Sequence, residues 1–369
     1  MRLGLLIYGS LDTVSGGFLY DRELVAALQQ AGDTVEIVSL PWRNYWRLLG
    51  DNFSQGFQLQ LENLNVDLLI QDELNHPSLF WLNQRLRRRV NFPIISIVHH
   101  LRSSEDHPVW IRRVYDWIER RYLNSVDGFV FNSRTTSQTV NQRLLKVRPG
   151  VIALPAGNQF QDNPDDLEIS QRSRNAGPLK LLFIGNVIRR KGLHMVLRAL
   201  DRLPVETWQL DIAGNLTIDP GYTAMLRRQA RRLKTGAQVI FHGSLSDAEL
   251  ARQLWDSQVL VVPSSYEGYG IVYLEAMSFG VVPLASTSGA AHEIIHHGQD
   301  GFLVDPHDAE ELAGIIQDLY QDHEKLCRMS LAARQRFVHH PTWAQTTRTI
   351  RNFLTSFWQD WSSHEKSRA

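Results

Sequence analysis

The sequence predicts an α/β protein with two doubly wound domains facing across a cleft. The chain has 369 residues, which exceeds the size of one ordinary compact core. Short apolar runs alternate with amphipathic runs along most of it, as in parallel sheets flanked by helices. One polar segment, rich in Asp, Asn and Ser, interrupts this alternation. We therefore expect a first domain over residues 1–155, a linker or surface loop over 156–178, and a second domain over 179–342.

Each domain should contain six strands. In the first domain the apolar runs that predict them are Leu3–Tyr8, Thr34–Ser39, Val66–Gln71, Pro93–Val98, Gly128–Asn132 and Val151–Leu154. In the second they are Leu179–Ile184, Trp208–Ala213, Val239–His242, Val259–Val262, Val281–Ala285 and Phe302–Val304. The spacing of Leu residues predicts a helix over Phe18–Gln30, entered through the turn Ser15-Gly16-Gly17. Trp and Phe recur at helical spacing in Trp343–Trp361, so a final helix is expected there.

Composition and charge exclude several classes of protein. Lys+Arg and Asp+Glu both number 39, and this zero net charge argues against a nucleic-acid partner. Cys327 is the only cysteine, so no intrachain disulfide can form. The apolar run after Met1-Arg2 is too short for a secretory signal, and no apolar stretch approaches 18 residues. We expect a cytoplasmic protein, with peripheral contact at the inner membrane face left open.

Two carboxylates, Glu267 and Glu275, mark a candidate ligand site. The first lies in a turn with Gly268 and Gly270, directly after the predicted strand Val259–Val262, and the second lies in the following helix. Ligands of open α/β sheets bind at the carboxyl ends of strands. Acceptor-only carboxylates beside exposed backbone N–H groups suit a ligand that carries both hydroxyls and phosphate, such as a sugar nucleotide. The alternative is two solvated Glu side chains near a helix start.

A basic segment at the start of the second domain suggests an anion site. Arg189, Arg190 and Lys191 lie between Gly185 and Gly192, where the first strand of the domain meets its first helix. Positive side chains oppose the helix dipole at that end, and a bound diphosphate would relieve the opposition.

These motifs resemble those of the retaining glycosyltransferases with the GT-B fold, glycosyltransferase family 4 (glycosyl transferases group 1). The seven-residue gap between Glu267 and Glu275 matches the E-x7-E motif of that family. The resemblance implies that Glu267 faces the donor sugar, that Glu275 binds the ribose and that Lys191 grips the diphosphate. Asn186 departs from the pattern because the family usually has Arg there. Arg190, or less readily Arg189, would then supply the second cation.

The resemblance extends to other parts of the chain. It implies that Gly16-Gly17 lies near the donor phosphates and that a His after the strand Ile94–Val98 lies near the reacting sugar. Sequence does not separate His99 from His100, and His100 is placed in the catalytic set with Lys191, Arg190 and Glu267. The expected donor contacts are Gly16, Gly17, Gly185, Asn186, Gly243, Gly268, Tyr269, Gly270, Ile271 and Glu275.

The loop Ser286–Glu293 resembles a later glycine loop of the family, in which Glu293 has a default capping role. The resemblance also implies that residues 343–369 pack back on the first domain, with membrane contact as the alternative use of their Trp and Phe side chains.

The resemblance implies transfer of a sugar from a nucleotide-diphosphate donor to a glycan, lipid-linked or small-molecule acceptor, with retention and of the hexosyltransferase type. No Asp-x-Asp pair is present and no cluster has metal-ligand spacing, so we expect no metal and no other cofactor. Two alternatives stay open: a nucleotide-sugar epimerase of the same fold, and a non-catalytic partner protein, at which Asn186 hints. NAD-binding domains are disfavoured because no Gly-x-Gly-x-x-Gly follows the first strand.

One further predicted helix is rich in arginine. Trp110–Leu123 is amphipathic and has Arg112, Arg113, Arg120 and Arg121 on its polar side. This pattern fits contact with anionic lipid headgroups, and it equally fits an ordinary solvated helix face.

Overall fold

The computed structural model describes residues 1–13, 15–160, 162–233 and 238–366. The chain divides into two compact units. The first unit comprises Met1–Pro155 and Pro341–Ala369, and the second comprises Ala156–His340.

The first unit contains a six-stranded parallel sheet. Its strands are β1 (Arg2–Tyr8), β2 (Thr34–Leu40), β3 (Leu68–Asp72), β4 (Ile94–Val98), β5 (Gly128–Phe131) and β6 (Gly150–Ile152). They are ordered β2-β1-β3-β4-β5-β6. β3, β4 and β5 are wholly buried, which explains their continuous apolar sequences. Strand order reverses between β1 and β3, and such a switch point opens a ligand crevice at the carboxyl ends of the strands.

Eight helices accompany this sheet among the described residues. They are α1 (Gly16–Gln30), α2 (Tyr45–Leu48), α3 (Gln55–Glu62), α4 (His76–Leu79), α5 (Leu82–Leu86), α6 (Val109–Leu123), α7 (Arg134–Asn141) and, at the end of the chain, α15 (Trp343–Lys366).

The second unit contains another six-stranded parallel sheet. Its strands are β7 (Leu179–Ile184), β8 (Trp208–Ala213), β9 (Val239–Gly243), β10 (Val259–Val262), β11 (Val282–Ser286) and β12 (Phe302–Val304). The order β9-β8-β7-β10-β11-β12 is that of a dinucleotide-binding fold, with its switch point between β7 and β10. Its helices are α8 (Asp166–Arg174), α9 (Leu193–Leu200), α10 (Pro220–Arg232), α11 (Asp247–Asp256), α12 (Ile271–Ser278), α13 (Ala309–Gln321) and α14 (His323–Val338).

The predicted strands are all present, with ends within about two residues of those expected.

The prediction of a linker or loop over 156–178 is wrong for residues 166–174, which form α8. Asp165 and Glu168 form a reciprocal capping box at its start. Ile169 is fully buried, and the Arg172 guanidinium donates to the Phe279 carbonyl at 2.6 Å. One buried aliphatic residue and a polar anchor hold this helix, so it lacks the apolar periodicity that reveals longer helices.

The C-terminal helix α15 packs on the first unit. The rings of Trp343 and Tyr20 lie 5.8 Å apart, and the Thr346 hydroxyl donates to the Leu154 carbonyl at 2.6 Å. Arg351 forms an ion pair with the buried Asp33 at 2.6 Å. Ile350 and Leu354 are fully buried, so the apolar side of the helix is used in packing rather than offered to a membrane. Throughout the described ranges, no helix combines the length and apolarity that a membrane crossing requires.

Candidate functional site

The switch point of the second sheet brings Lys191 and Glu267 together. Lys191 ends a short 3-10 turn that follows β7, and Glu267 lies in the turn after β10. Lys191 Nζ is 2.6 Å from Glu267 Oε2, and the Ser264 hydroxyl donates to the same oxygen at 3.1 Å. Both charged side chains are largely buried, with exposed fractions of 14% and 12%. Lys191 and Glu267 therefore form a direct, largely buried ion pair.

Gly192 allows the loops after β7 and β10 to approach this closely. Its φ is +76°, and a Cβ at this position would lie 2.2 Å from the Pro263 carbonyl oxygen. Two further bonds join the loops: Ser265 N–H donates to the Arg190 carbonyl at 2.8 Å, and the Arg190 guanidinium donates to the Tyr266 carbonyl at 2.6 Å. The site is thus held by backbone on both sides.

The electrostatics of Glu267 show that two cations act on it. Burial alone would raise the pKa of Glu267, but the charges of Lys191 and Arg190, with the hydrogen bonds from Lys191 and Ser264, lower it to about 2. Burial lowers the pKa of Lys191, against the opposing effect of Glu267. Arg189 is directed elsewhere, because its guanidinium lies 5.5 Å from the Tyr222 ring centre. Of the two candidate substitutes for the cation missing at Asn186, Arg190 is the one beside Glu267.

A third loop closes on Glu267 from the predicted segment Ser286–Glu293. Gly289 forms an isolated parallel bridge with Glu267, and Ala290 N–H donates to the Glu267 carbonyl at 3.0 Å. A Cβ on Gly289 would lie 2.0 Å from that carbonyl oxygen, so the contact requires glycine. Glu293 lies in the 3-10 turn Ala291–Glu293.

Glu275 occupies a separate environment inside α12. It is 9% exposed, and the Gln159 amide donates to its carboxylate. Burial raises the pKa of Glu275 to about 7, and the Gln159 hydrogen bond only partly offsets this effect. Gly157 packs directly on Leu274 and Glu275. The segment expected to be a plain linker therefore contributes Gln159 to the site, a partner that no local pattern in that segment indicates.

The other expected donor contacts of the second unit lie around these residues. Gly268 lies in the turn after Glu267, Tyr269 is buried, and Gly270 caps α12, which begins at Ile271. Gly185 and Gly243 are at the carboxyl ends of β7 and β9, where Lys191 packs along Gly185. Gly214, after β8, packs against Gly185, and its N–H donates to the Gly243 carbonyl at 2.8 Å. The Asn186 carbonyl accepts from Ile188 N–H at 2.9 Å.

In the first unit, the Gly16-Gly17 turn begins α1 and packs against His99. A Cβ on Gly17 would lie 3.3 Å from His99 Cδ2, and Asn132 donates to the His99 carbonyl at 2.7 Å. His100 instead has its Nε2 3.0 Å from Glu105 Oε1. The geometry separates the two histidines that the sequence left together: His99 contacts the glycine turn, and a catalytic role for His100 stays a prediction.

Buried carboxylates surround His99. Asp21 Oδ1 lies 3.6 Å from His99 Nε2, and neither carboxylate oxygen of Asp21 accepts a hydrogen bond. Ligand atoms of Asp21, Asp72 and His99 lie within 4.8 Å of one another. Burial lowers the pKa of His99, but the nearby Asp21 carboxylate and the charges of Asp72 and Glu73 outweigh it and raise the pKa to about 9. The imidazole is therefore a cation at neutral pH.

A second buried group lies beside the first and comprises Glu73, His76 and Glu119, whose ligand atoms are equally close to one another. Burial raises the pKa values of Glu73 and Glu119 to about 7 each, and burial together with the Asp21 charge raises that of Asp72 to about 7. Both groups have donor sets that a divalent cation accepts. In this group Glu73 and His76 are three residues apart in the chain, whereas Glu119 comes from α6. The expectation that catalysis needs no metal stays a prediction.

Comparison with known proteins identifies the second unit. Residues 165–336 match the family described as "Glycosyl transferases group 1". These residues belong to the group 1 glycosyl transferases. A glycogen synthase of Mycobacterium tuberculosis is 28% identical over 304 residues, covering 79% of this chain and 70% of that protein. The sulfoquinovosyl transferase of Arabidopsis thaliana is 30% identical over 206 residues, covering 53% of this chain and 38% of that protein.

Solved structures extend the likeness to the whole chain. Sucrose-phosphate synthase from Thermosynechococcus elongatus superposes with a TM-score of 0.83 at 20% identity, covering 97% of this chain and 99% of the other. HepE from Anabaena, solved with UDP and glucose, gives 0.75 at 18% identity and covers 96% and 100%. The GT-B fold is confirmed, and the match of residues 165–336 to the group 1 glycosyl transferases, together with these relatives, indicates a transferase of the EC 2.4 class.

Proposed function

We propose that this group 1 glycosyltransferase moves a hexose from a nucleotide-diphosphate sugar to a glycan, lipid-linked or small-molecule acceptor, with retention and without a metal. The observation that carries the proposal is the Lys191–Glu267 ion pair at the switch point of the second sheet, with Arg190 beside it. Dinucleotide-type folds bind phosphate there. The UDP and glucose in HepE, a protein with the same fold, support a donor of this class.

In the proposed reaction, the bond between the anomeric carbon and the diphosphate oxygen breaks, and the acceptor oxygen bonds to that carbon. Negative charge develops on the departing diphosphate. Lys191 and Arg190 would stabilise it, since fixed cations in a largely dry site act strongly on developing charge. The leaving phosphate oxygen would take the proton of the acceptor hydroxyl, so no protein base is needed.

The two glutamates would divide the donor between them. Glu267 is held ionised by its cations and accepts hydrogen bonds only, so it suits the sugar hydroxyls. Glu275, whose pKa burial raises to about 7, lies at the other end of the motif in α12 and suits the ribose hydroxyls. A hydrogen bond from Ser264 holds the Glu267 carboxylate in position before a donor arrives, and one from Gln159 holds that of Glu275.

A thermal-shift panel tests this proposal. We expect one of UDP, GDP, ADP or CDP to raise the unfolding midpoint in the presence of EDTA, because ligands that bind only the folded state stabilise it by mass action. The shift should vanish in Lys191→Ala. Lys180→Ala is the matched control, since Lys180 is exposed on the adjoining strand β7 and should leave the shift intact.

Two outcomes would contradict the proposal. A diphosphate response that is unchanged in Lys191→Ala would remove the anion site from this loop. A response that appears only with added Mg²⁺ would contradict metal independence.

A further inference from the structure

The first unit exposes large aromatic side chains on and beside α6. Exposed fractions are 65% for Trp110, 50% for Trp117, 44% for Trp81 and 66% for Phe53. Rings of this size are expensive to leave in water, and their accumulation on one surface marks an interaction site.

Helical spacing aligns four residues of α6 on one side. Trp110 and Trp117 are seven residues apart, which is about two turns or about 10 Å along the axis. Arg113 and Arg121 fall on the same side at i+3 and i+4 spacing from these rings. The opposite side, with Tyr115, Ile118 and Tyr122, is buried in the core. We call these four residues, with Trp81 and Phe53, the aromatic–arginine stripe.

Arg121 connects the rings of the stripe. Its guanidinium lies 5.0 Å from the Trp117 ring centre and 5.6 Å from that of Trp81. Phe53 lies 5.9 Å from Trp81, which extends the row. Phe53, Trp81, Arg121 and Trp117 therefore form one contiguous row.

The carboxylates of α6 do not offset the positive charge of the stripe. Asp116 binds Arg120 at 2.6 Å and Arg143 at 2.9 Å. Glu119 is fully buried and accepts from Ser103. Arg113 is exposed and no carboxylate of α6 is left for it.

We propose that the aromatic–arginine stripe docks the protein on an anionic lipid surface. Tryptophan rings prefer the boundary between headgroups and acyl chains, and arginines beside them would meet anionic headgroups. A second copy of the chain fits less well, because a two-fold contact through this stripe would bring its own arginines together. The proposal is independent of the chemistry assigned to Lys191 and Glu267.

The test is co-sedimentation with vesicles of phosphatidylcholine, with and without phosphatidylglycerol. We expect binding that needs phosphatidylglycerol and weakens as NaCl rises. Trp110→Ala with Trp117→Ala should lower the partition coefficient at least about tenfold, because two aromatic side chains leave the interface. Arg113→Gln should lower it about fivefold.

Matched controls separate the stripe from general charge and surface aromaticity. Arg112→Gln removes the same charge from the same helix, but Arg112 lies two positions after Trp110 and so about 200° around the axis. Trp255→Ala removes an exposed tryptophan from the second unit. Both should bind as wild type, and nucleotide-induced thermal shifts should be unchanged in every stripe variant.

Three results would overturn the proposal. The first is absence of binding to phosphatidylglycerol vesicles at low salt. The second is equal loss in Arg112→Gln and Arg113→Gln, which would indicate non-specific charge. The third is a concentration-dependent dimer in sedimentation equilibrium that Trp117→Ala disperses, which would make the stripe a contact between copies.

Discussion

Each of the two sheets has a switch point at the carboxyl ends of its strands, but the charged groups found there differ between the two sheets. In the second unit, Glu267 meets Lys191 and Arg190, which lower its pKa to about 2. In the first unit, Asp72, Glu73 and Glu119 are buried with few cations, and burial raises their pKa values to about 7. The second edge is therefore preset with fixed positive charge for an anion, whereas the first holds protons and a cationic His99. The two parallel sheets differ in strand order, and they also hold different charges at the carboxyl ends of their strands.

The largest expected effect comes from removing the Lys191 charge at the carboxyl ends of the strands in the second unit. Lys191→Ala should lower the rate of nucleoside-diphosphate release about 100- to 1,000-fold, because a largely buried cation that would stabilise the leaving group is lost. The measurement is a coupled assay of released diphosphate at saturating donor. Lys180→Ala should retain the wild-type rate, and comparable losses in both variants would contradict the assignment.

The next effect tests the close contact of the loops after β7 and β10. Gly192→Ala and Gly298→Ala introduce the same side chain at nearly equal φ, +76° and +77°. Only the former Cβ meets backbone, since nothing lies within 4 Å of the latter. Each should lose about 1–2 kcal/mol of unfolding free energy to backbone strain, and Gly192→Ala about 1–3 kcal/mol more. Urea denaturation measures both, and equal losses would show that the contact is unimportant.

A smaller effect distinguishes the two arginines that precede Lys191. Arg190→Ala should weaken nucleoside-diphosphate binding about tenfold, because a charge-assisted contact beside Glu267 is lost. Arg189→Ala should change it less than about twofold, since that guanidinium stacks on Tyr222. Isothermal titration calorimetry measures both constants. The reverse ranking would place the missing cation at Arg189.

The smallest effect is the pH dependence of stability, which has opposite signs at the two edges. A carboxyl whose pKa is lowered to about 2 stabilises the fold above its ordinary value of 4.5, and this contribution is lost as pH falls. One whose pKa is raised to about 7 stabilises the fold at low pH, and this contribution is lost as pH rises through 7. Between about pH 5 and about pH 8, Glu119→Gln should lose less stability than wild type.

Urea midpoints at both pH values measure this difference. Glu267→Gln should leave that interval unchanged and instead remove the loss of stability below about pH 4. A parallel pH response of wild type and Glu119→Gln would mean that Glu119 is ionised throughout.

The sequence predicts the strands of this protein better than the contacts between its side chains. The strands were predictable because buried parallel strands have unbroken apolar runs, as in Val259–Val262. Helix α8 was not, since Ile169 is the one apolar side chain that it buries. The group around His99 was also missed, because Asp21 comes from α1 and Asp72 from the end of β3. Residues so distant in the chain share no spacing that a local pattern could reveal.

The central claim is that the chain transfers a sugar from a nucleotide-diphosphate donor with retention. Proton NMR of the anomeric signal tests it most directly, with EDTA present, the donor whose diphosphate gives the thermal shift, and water as acceptor before mutarotation. We predict release of the nucleoside diphosphate together with a free sugar of the donor's own anomeric configuration. An inverted sugar, or an epimerised donor without diphosphate release, would contradict the account.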